Sequence, residues 1–553
     1  MKRRKYTRDF TTWNILTITC FAFFALFFLY PLAKMIIGGI FVDGKFNFDS
    51  YIKFFNSAYY QRAVMNSFKL AFTTTILAII TGTTYAMIMR HVKIKGKNII
   101  DILLLVSTIT PPFLGGYSWI LLGGRAGYLT RFLKNVFGIT FPGIYGFWGI
   151  VFTFVVSSTV TMYMYISGAL KNVDSSLIEA SENLGCTGIR KIFKIYLPLI
   201  LPTILSTSLL TFMRVFADFG TAELIGEGYH VLGGLIYNSY LGEVYRDGAM
   251  ASALSSITLA FTAALFMLQR YIATRKNIEM SSLRPIEQKP AKGIKGILAH
   301  AYIYFMTGLA SIPIVTVAYN SFQKTAGQVF IDGQYSLDSY VKAFNRMGKA
   351  ISRTYVYGII ALLLILVIGI ITSYANVRHK SFITKTVDTL TFFPFIVPGA
   401  VLGIATILAF NGKPFYLSGT SIIIIAIWVI RRLPYTIRSS TSVLHQIGSS
   451  VEEASQSLGA NGINTFFKVT LPIMFTGILP GALLSWVSCI TELSSSLFVY
   501  NNRNMTMSIA IYTQILKGNM GIASAMSTIL LVSAALVLLI LQKTSKGKID
   551  FGL

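Results

Sequence analysis

The chain has 553 residues, of which 54% are hydrophobic and only 12% charged, with a net charge of +27. Soluble domains carry about 25% charged residues, so this composition excludes an ordinary soluble domain and points to a membrane. The positive charges lie between apolar runs rather than on one amphipathic face, which fits the positive-inside rule and not a nucleic-acid surface.

Read along the chain, about twelve apolar runs are long enough to span a bilayer, which predicts an all-α membrane protein. The basic head (Lys2, Arg3, Arg4, Lys5, Arg8) precedes an apolar run over 15–41, too long for a signal-peptide core and read as a retained first span. Five more runs follow at 66–89, 99–123, 144–170, 196–225 and 248–273. The second set lies at 297–319, 354–376, 383–410, 418–443, 470–499 and 521–542. The basic segments Arg90–Lys97 and Arg270–Lys295, and the tail with Lys543, Lys546 and Lys548, belong on the cytoplasmic side, so both termini are expected there. Two loops assigned outside, 124–143 and 320–352, are more basic than that rule expects. Cys20, Cys186 and Cys489 form no disulfide or metal spacing, and His91, His230, His300, His379 and His445 are scattered.

The segment 276–296, with Pro285, Pro290 and several charges, reads as a cytoplasmic linker between two transmembrane halves, 1–275 and 297–553. The halves repeat one another. Glu179-Ala-Ser-Glu-Asn-Leu-Gly185 matches Glu453-Ala-Ser-Gln-Ser-Leu-Gly459 at an offset of 274, and the same offset joins Leu197-Pro198 to Leu471-Pro472, Asp218 to Glu492, and Phe212 to Trp486. Upstream, Pro112 aligns with Pro398 at about 286, and a loop of about twelve extra residues around 124–143 accounts for the change. The duplicated cytoplasmic segment predicts a short helix opened by Asp174 or Ser450, ended by Gly185 or Gly459, then a second short helix and a proline at the entry to the next span.

These residues resemble the coupling signature of ABC importer permeases: Glu-Ala-Ala, three residues, Gly, nine residues, Ile, one residue, Leu-Pro. Glu179, Ala180, Ser181, Gly185, Ile195, Leu197 and Pro198 match it; so do Glu453, Ala454, Ser455, Gly459, Leu471 and Pro472, with Val469 in place of Ile. The resemblance implies a type I ABC importer fold, two homologous six-helix halves in an inner membrane. It implies coupling helices seated in grooves of two copies of a separate ATPase, which carries ATP and Mg, and a periplasmic or lipoprotein substrate-binding protein. No phosphate-cradling Gly-rich loop with Lys-Ser or Lys-Thr occurs, so the chain is expected to be neither the ATPase nor an enzyme, and to hold no cofactor. Phe216-Ala-Asp-Phe-Gly-Thr221, Thr391-Phe-Phe-Pro-Phe-Ile-Val-Pro398, Arg431-Arg-Leu-Pro-Tyr-Thr-Ile-Arg438 and Thr491-Glu-Leu-Ser-Ser495 resemble fused ferric iron permeases. Similar permeases for a sugar phosphate, aminoethylphosphonate or thiamine remain as alternatives. An ion-coupled secondary transporter also has repeats and broken helices, but leaves the duplicated cytoplasmic element unexplained. A membrane enzyme needs a catalytic cluster that the sequence does not display.

Ionisable residues inside spans are costly and face a cavity or a partner. Asp218 and Glu492, at equivalent places, are pathway candidates whose carboxylates suit a hard ferric ion; the alternative is that each pairs with an arginine such as Arg214 or caps a broken helix. Pro111-Pro112 and Pro394 with Pro398 interrupt the third span of each half, freeing backbone groups that must be satisfied by protein or water.

Overall fold

The computed structural model describes residues 2–42, 44–242, 247–275, 284, 286–327, 329–379 and 381–544. Most of the linker (276–283 and 285), the tail residues Lys546 and Lys548, and the side chains of the basic head and of Lys543 lie outside the described residues.

Eight described helices are long and apolar enough to cross a membrane, and three further pairs, bent at a break, bring the total to at most eleven. The unbent spans are α1 (Trp13–Ile40), α2 (Ala58–His91), α6 (Gly146–Lys171), α8 (whose regular part is Leu197–Phe216), α10 (Gly248–Arg275), α11 (Gly293–Ser321), α12 (Asp338–Arg378) and α20 (Met520–Thr544). These and the bent pairs coincide with eleven of the twelve sequence-derived spans. The twelfth, 418–443, is also a continuous helix, α15 (Ser421–Gln446), of the same 26 residues as α6. It carries Arg431, Arg432 and Arg438 and does not qualify as an apolar span.

The prolines act where the sequence places them. A residue before proline is driven out of the α region, and proline itself donates no hydrogen bond. Accordingly α3 (Lys97–Ile109) is bent by 106° from the segment Pro112–Phe137, which opens with α4 (Pro112–Gly123), and α13 (Phe382–Ile396) and α14 (Gly399–Phe410) meet at 111°. Pro111 (φ −59, ψ 146) and Pro398 (φ −55, ψ 147) both stand immediately before the second helix of the pair. Pro398 therefore corresponds to Pro111, one residue from the sequence alignment to Pro112. The repeat also reaches further upstream: Asp49-Ser-Tyr-Ile-Lys-Phe-Phe-Asn56 recurs as Asp338-Ser-Tyr-Val-Lys-Ala-Phe-Asn345.

Packing divides the chain differently from the repeat. Of the described residues, one compact unit holds those within 1–50, 240–259 and 340–544; the other holds those within 51–239 and 260–339. Each unit thus contains the first span of the opposite sequence half. In one, Ile303 and Ala310 of α11 are buried with Tyr85, Met162, Ile166 and Ile200. Tyr85 meets Thr307 Oγ1 at 2.8 Å, Tyr302 donates to the Thr81 carbonyl at 2.8 Å, and Ser107 to that of Ala310 at 2.9 Å. In the other, Trp13 of α1 lies 4.5 Å from the Tyr374 ring and 5.0 Å from that of Phe466, and Phe27 reaches Phe410 at 5.6 Å.

This exchange predicts that the linker is dispensable for association. With a protease site inserted within 276–283, the two fragments should co-elute from size exclusion in detergent after complete cleavage. Separate elution would show that the exchanged spans do not hold them.

Candidate functional site

The duplicated element forms two short helices, α7 (Ser175–Asn183) and α16 (Ser449–Ser457); the second is not opened by Ser450 but starts at Ser449 after Gly448, which has no side chain to cap it. Asp174 caps α7 by accepting from the Ser176 N–H at 2.8 Å. Both helices end in the same way. Gly185 (φ +79) and Gly459 (φ +96) take the left-handed conformation that glycine adopts without strain. The Cys186 N–H then returns to the Ser181 carbonyl at 2.9 Å and the Gly185 N–H to that of Glu182 at 2.9 Å; Ala460 to Ser455 (3.2 Å) and Gly459 to Gln456 (3.0 Å) repeat the pattern. This double bond pattern closes the last turn and sets the angle to the following short helix. A single π-turn then precedes each Leu-Pro pair, at Ile192–Tyr196 and Phe466–Thr470. There the Leu197 and Leu471 N–H groups bond five residues back, because the next residue is a proline with none to give.

Glu179, Ala180, Glu453 and Ala454 are exposed. Beside them stand the leucines of the matched motif, Leu184 88% and Leu458 91% exposed, and two phenylalanines that the sequence reading missed, Phe193 and Phe467, also exposed. The offset of 274 joins these pairs too, and was the signal that could have found them. Glu182 is paired with Lys191, whose ammonium holds that carboxyl below its ordinary range.

The inner faces of the two copies differ. In α16, Glu452 is buried and accepts from Arg378 Nε at 3.1 Å, Thr470 Oγ1 at 3.1 Å and Tyr374 Oη at 3.3 Å. One carboxylate thus ties α16 to the end of α12 and to the base of α17 (Leu471–Ile490). At the same offset, α7 has Ile178, buried with Met89, Val173 and Tyr196. The described part of the linker also straps α7. Arg284 N–H donates to Asp174 Oδ2 at 3.3 Å, and the Arg284 carbonyl accepts from Ser175 N–H at 2.9 Å. Lys289 pairs with the strand-like end of α2 through His91 (2.9 Å) and Lys93 (3.1 Å).

The four pathway candidates fall into one constellation per half. Asp218 follows α8, and its Oδ1 accepts from the Thr221 N–H at 2.9 Å, capping α9 (Gly220–Ile225). Glu492 follows α17, and its Oε1 accepts from the Ser495 N–H at 3.0 Å, capping α18 (Ser496–Val499). In turn α9 packs on α4, with Gly116 against Thr221 and Ile225, and α18 packs on α14. The second contact is close: a Cβ on Gly403 would lie 2.5 Å from the Phe498 ring. So each acid caps a short helix that rests on the helix starting at Pro112 or just after Pro398.

The halves diverge again at this point. Glu492 is buried, with Arg432 Nη2 at 2.5 Å and Arg431 Nη1 at 3.6 Å, and Arg431 also donates to Ser495 Oγ at 2.5 Å. Trp428 Nε1 donates to Ser496 Oγ at 3.0 Å. Helices α6 and α15 align with an offset of 275, which puts Val156 and Ser157 where α15 has its arginine pair. Among the described residues, no group of three His, Cys, Asp or Glu side chains stands close enough to hold a metal.

The chain matches the family described as binding-protein-dependent transport system inner membrane component at residues 74–278 and 365–549. It belongs to that family, as an ABC importer permease with both membrane halves in one polypeptide. The exchanged spans α1 and α11 lie outside both matched stretches. A ferric transport system permease protein of Actinobacillus pleuropneumoniae is 29% identical over 95% of this chain and 77% of its own length. A putative ferric transport system permease protein of Haemophilus influenzae is 29% identical over 88% of this chain and 78% of its own length. A putative 2-aminoethylphosphonate transport system permease protein of Salmonella typhi is 23% identical over 46% of this chain and 89% of its own length.

Two stability outcomes follow from the capped breaks. Glu492→Ala leaves two buried guanidinium groups without their carboxylate, a loss of about 3–5 kcal/mol. Asp218→Ala removes chiefly a helix cap, a loss of about 1 kcal/mol. Thermal unfolding in detergent should therefore show the larger fall in Tm for Glu492→Ala. Equal falls would mean that the arginine pair does not depend on Glu492.

Proposed function

We propose that this chain forms the membrane pathway of a ferric iron importer, with both termini in the cytoplasm. Ferric iron is received from a substrate-binding protein and passed inward by alternating access. Two copies of a separate ATPase, carrying ATP and Mg, supply the work. The observation that carries this reading is the duplicated α7 and α16 element, with its exposed Glu-Ala face and its bare leucine at the same offset. An exposed leucine beside small residues suits insertion into a groove of a partner.

The geometry supports a rigid transmission from that element. When two ATPase subunits close, α7 and α16 move as bodies, because their last turns are locked by the paired backbone bonds. In the second half the pull reaches α12 and α17 together through Glu452. In the first half it reaches α2 and α8 through apolar packing of Ile178. The bent third spans and the capped helices α9 and α18 are the parts placed to change register, since backbone there is already free of a regular ladder.

Iron as cargo rests on the relatives described for ferric transport, which align along nearly the whole chain, whereas the aminoethylphosphonate relative aligns with about one half of it. Sugar phosphate, aminoethylphosphonate and thiamine are the other cargoes of this architecture. Asp218 and Glu492 with the breaks at Pro112 and Pro398 are proposed to flank the pathway. Asp218, half-buried and facing the single Arg214 where Glu492 faces two arginines, is the better placed of the two to meet a cation.

Uptake of radiolabelled ferric iron tests the proposal. Deletion cells carrying the wild-type chain should accumulate iron, and cells carrying the Glu179→Ala, Glu453→Ala double variant should fall to the deletion level while the purified chain keeps its Tm. Uptake by the double variant at the wild-type rate would refute the coupling role. Iron uptake unaffected by deletion would refute iron as cargo.

A further inference from the structure

The first half carries an insertion that the coupling and pathway roles leave unused. Between α4 and α6 lie residues 124–145; between α14 and α15 lie only 411–420, twelve fewer. The extra length forms α5 (Tyr128–Phe137).

Helix α5 is amphipathic in the reverse sense to a surface helix of a globular protein, which turns its apolar stripe inward. At 100° per residue, Leu129, Phe132, Leu133, Val136 and Phe137 share one face, and Thr130, Arg131, Lys134 and Asn135 the other. The polar side is the one held by the protein. Thr130 Oγ1 donates to the Gly124 carbonyl at 2.7 Å, Arg131 is paired with Asp332, and Tyr128, at the edge, donates to Asn320 Oδ1 at 2.7 Å and also bonds Gln323. The apolar side is bare: Phe132 is 54%, Val136 58% and Phe137 62% exposed. Ile139 and Trp148 beyond the helix are exposed as well.

What covers this face follows from its place in the same compact unit. Helix α6 begins just after α5 and ends just before α7. Its 26 residues rise about 39 Å, close to the thickness of a bilayer with its headgroups. Helix α5 therefore lies at the membrane boundary opposite the coupling helices. Its apolar face also continues into the lipid-facing side of α11. The Tyr128 ring is 6.0 Å from that of Tyr319, and Val315, Tyr319 and Phe322 are exposed there.

We propose that α5 is a membrane-interface anchor, seated with its Phe132–Val136 face in the acyl–headgroup boundary of the lipid and its polar side clamped to the protein through Arg131–Asp332 and Thr130. Helices of this kind sink about 5–10 Å into that boundary. The anchor fixes the height of the broken third span in the first half alone.

Spin labels on the full-length chain, in a background with Cys20, Cys186 and Cys489 replaced by Ala and reconstituted in lipid vesicles, test this. Single cysteines go at Phe132, Val136 and, as the polar control, Lys134. All three positions are exposed, so labelling does not require the fold to yield. The proposal expects oxygen to collide with labels at 132 and 136 and a nickel chelate to be excluded, with the reverse at 134. Nickel access at 132 and 136 equal to that at 134 would place the face in water and overturn it. Exclusion of both reagents at 132 and 136 would mean that protein covers the face, and would overturn it too.

Discussion

A helix that stops within a bilayer leaves N–H and C=O groups that no water can satisfy. Each half of this chain stops helices twice inside its membrane region, at Pro111 or Pro398 and again after α8 or α17. The structure meets the constraint by stacking the two interruptions. The short helix after the second break is capped by an acidic side chain and rests on the helix that starts after the first. Asp218 and Glu492 are held where they are by this requirement, and the same requirement gathers the irregular backbone of each half into one place. A pathway that must open and close benefits from such a place, because a capped short helix can shift without breaking a long ladder of hydrogen bonds.

Fusion of two halves into one polypeptide allows them to differ, which a symmetric pair of identical subunits cannot do. The differences are concrete. Helix α16 of the second half is pinned by the buried Glu452 carboxylate to Arg378, Tyr374 and Thr470, whereas α7 of the first half is seated on Ile178 and strapped by Arg284 of the linker. Glu492 faces two arginines, whereas α6 offers Val156 and Ser157 at the corresponding places. Both helices keep Glu-Ala-Ser and the following leucine, while Glu182 and Asn183 stand where the second copy has Gln456 and Ser457. How each copy is fastened to its spans has diverged as well.

The exchange of first spans adds a second consequence of fusion. Helices α1 and α11 stand outside the two family-matched stretches and inside the core of the opposite sequence half. They are apolar helices with one packed face, Trp13 on Tyr374 in one unit and Thr307 on Tyr85 in the other. Each compact unit is therefore built from both sequence halves, and neither sequence half closes its own core.

The sequence by itself determined the class, nearly all the spans, the breaks and the duplicated helix–turn–helix, because each is a local property. An apolar run of about twenty residues must be a span, a proline pair must interrupt it, and a glycine after a capped amphipathic turn must end it. The repeat at offset 274 made α7 and α16 legible residue by residue. Only the tertiary structure decided the rest, because it depends on which side chains meet across distance. Periodicity could not say that Glu452, adjacent to the motif's Glu453, is the buried one, nor that α15 tolerates Arg431 and Arg432 because Glu492 folds back between them. It could not say that α1 and α11 trade cores, nor that α5 presents its apolar face outward. A hydrophobic pattern fixes which face of an element is apolar; what that face meets, protein or lipid, is settled only when the other elements have taken their places.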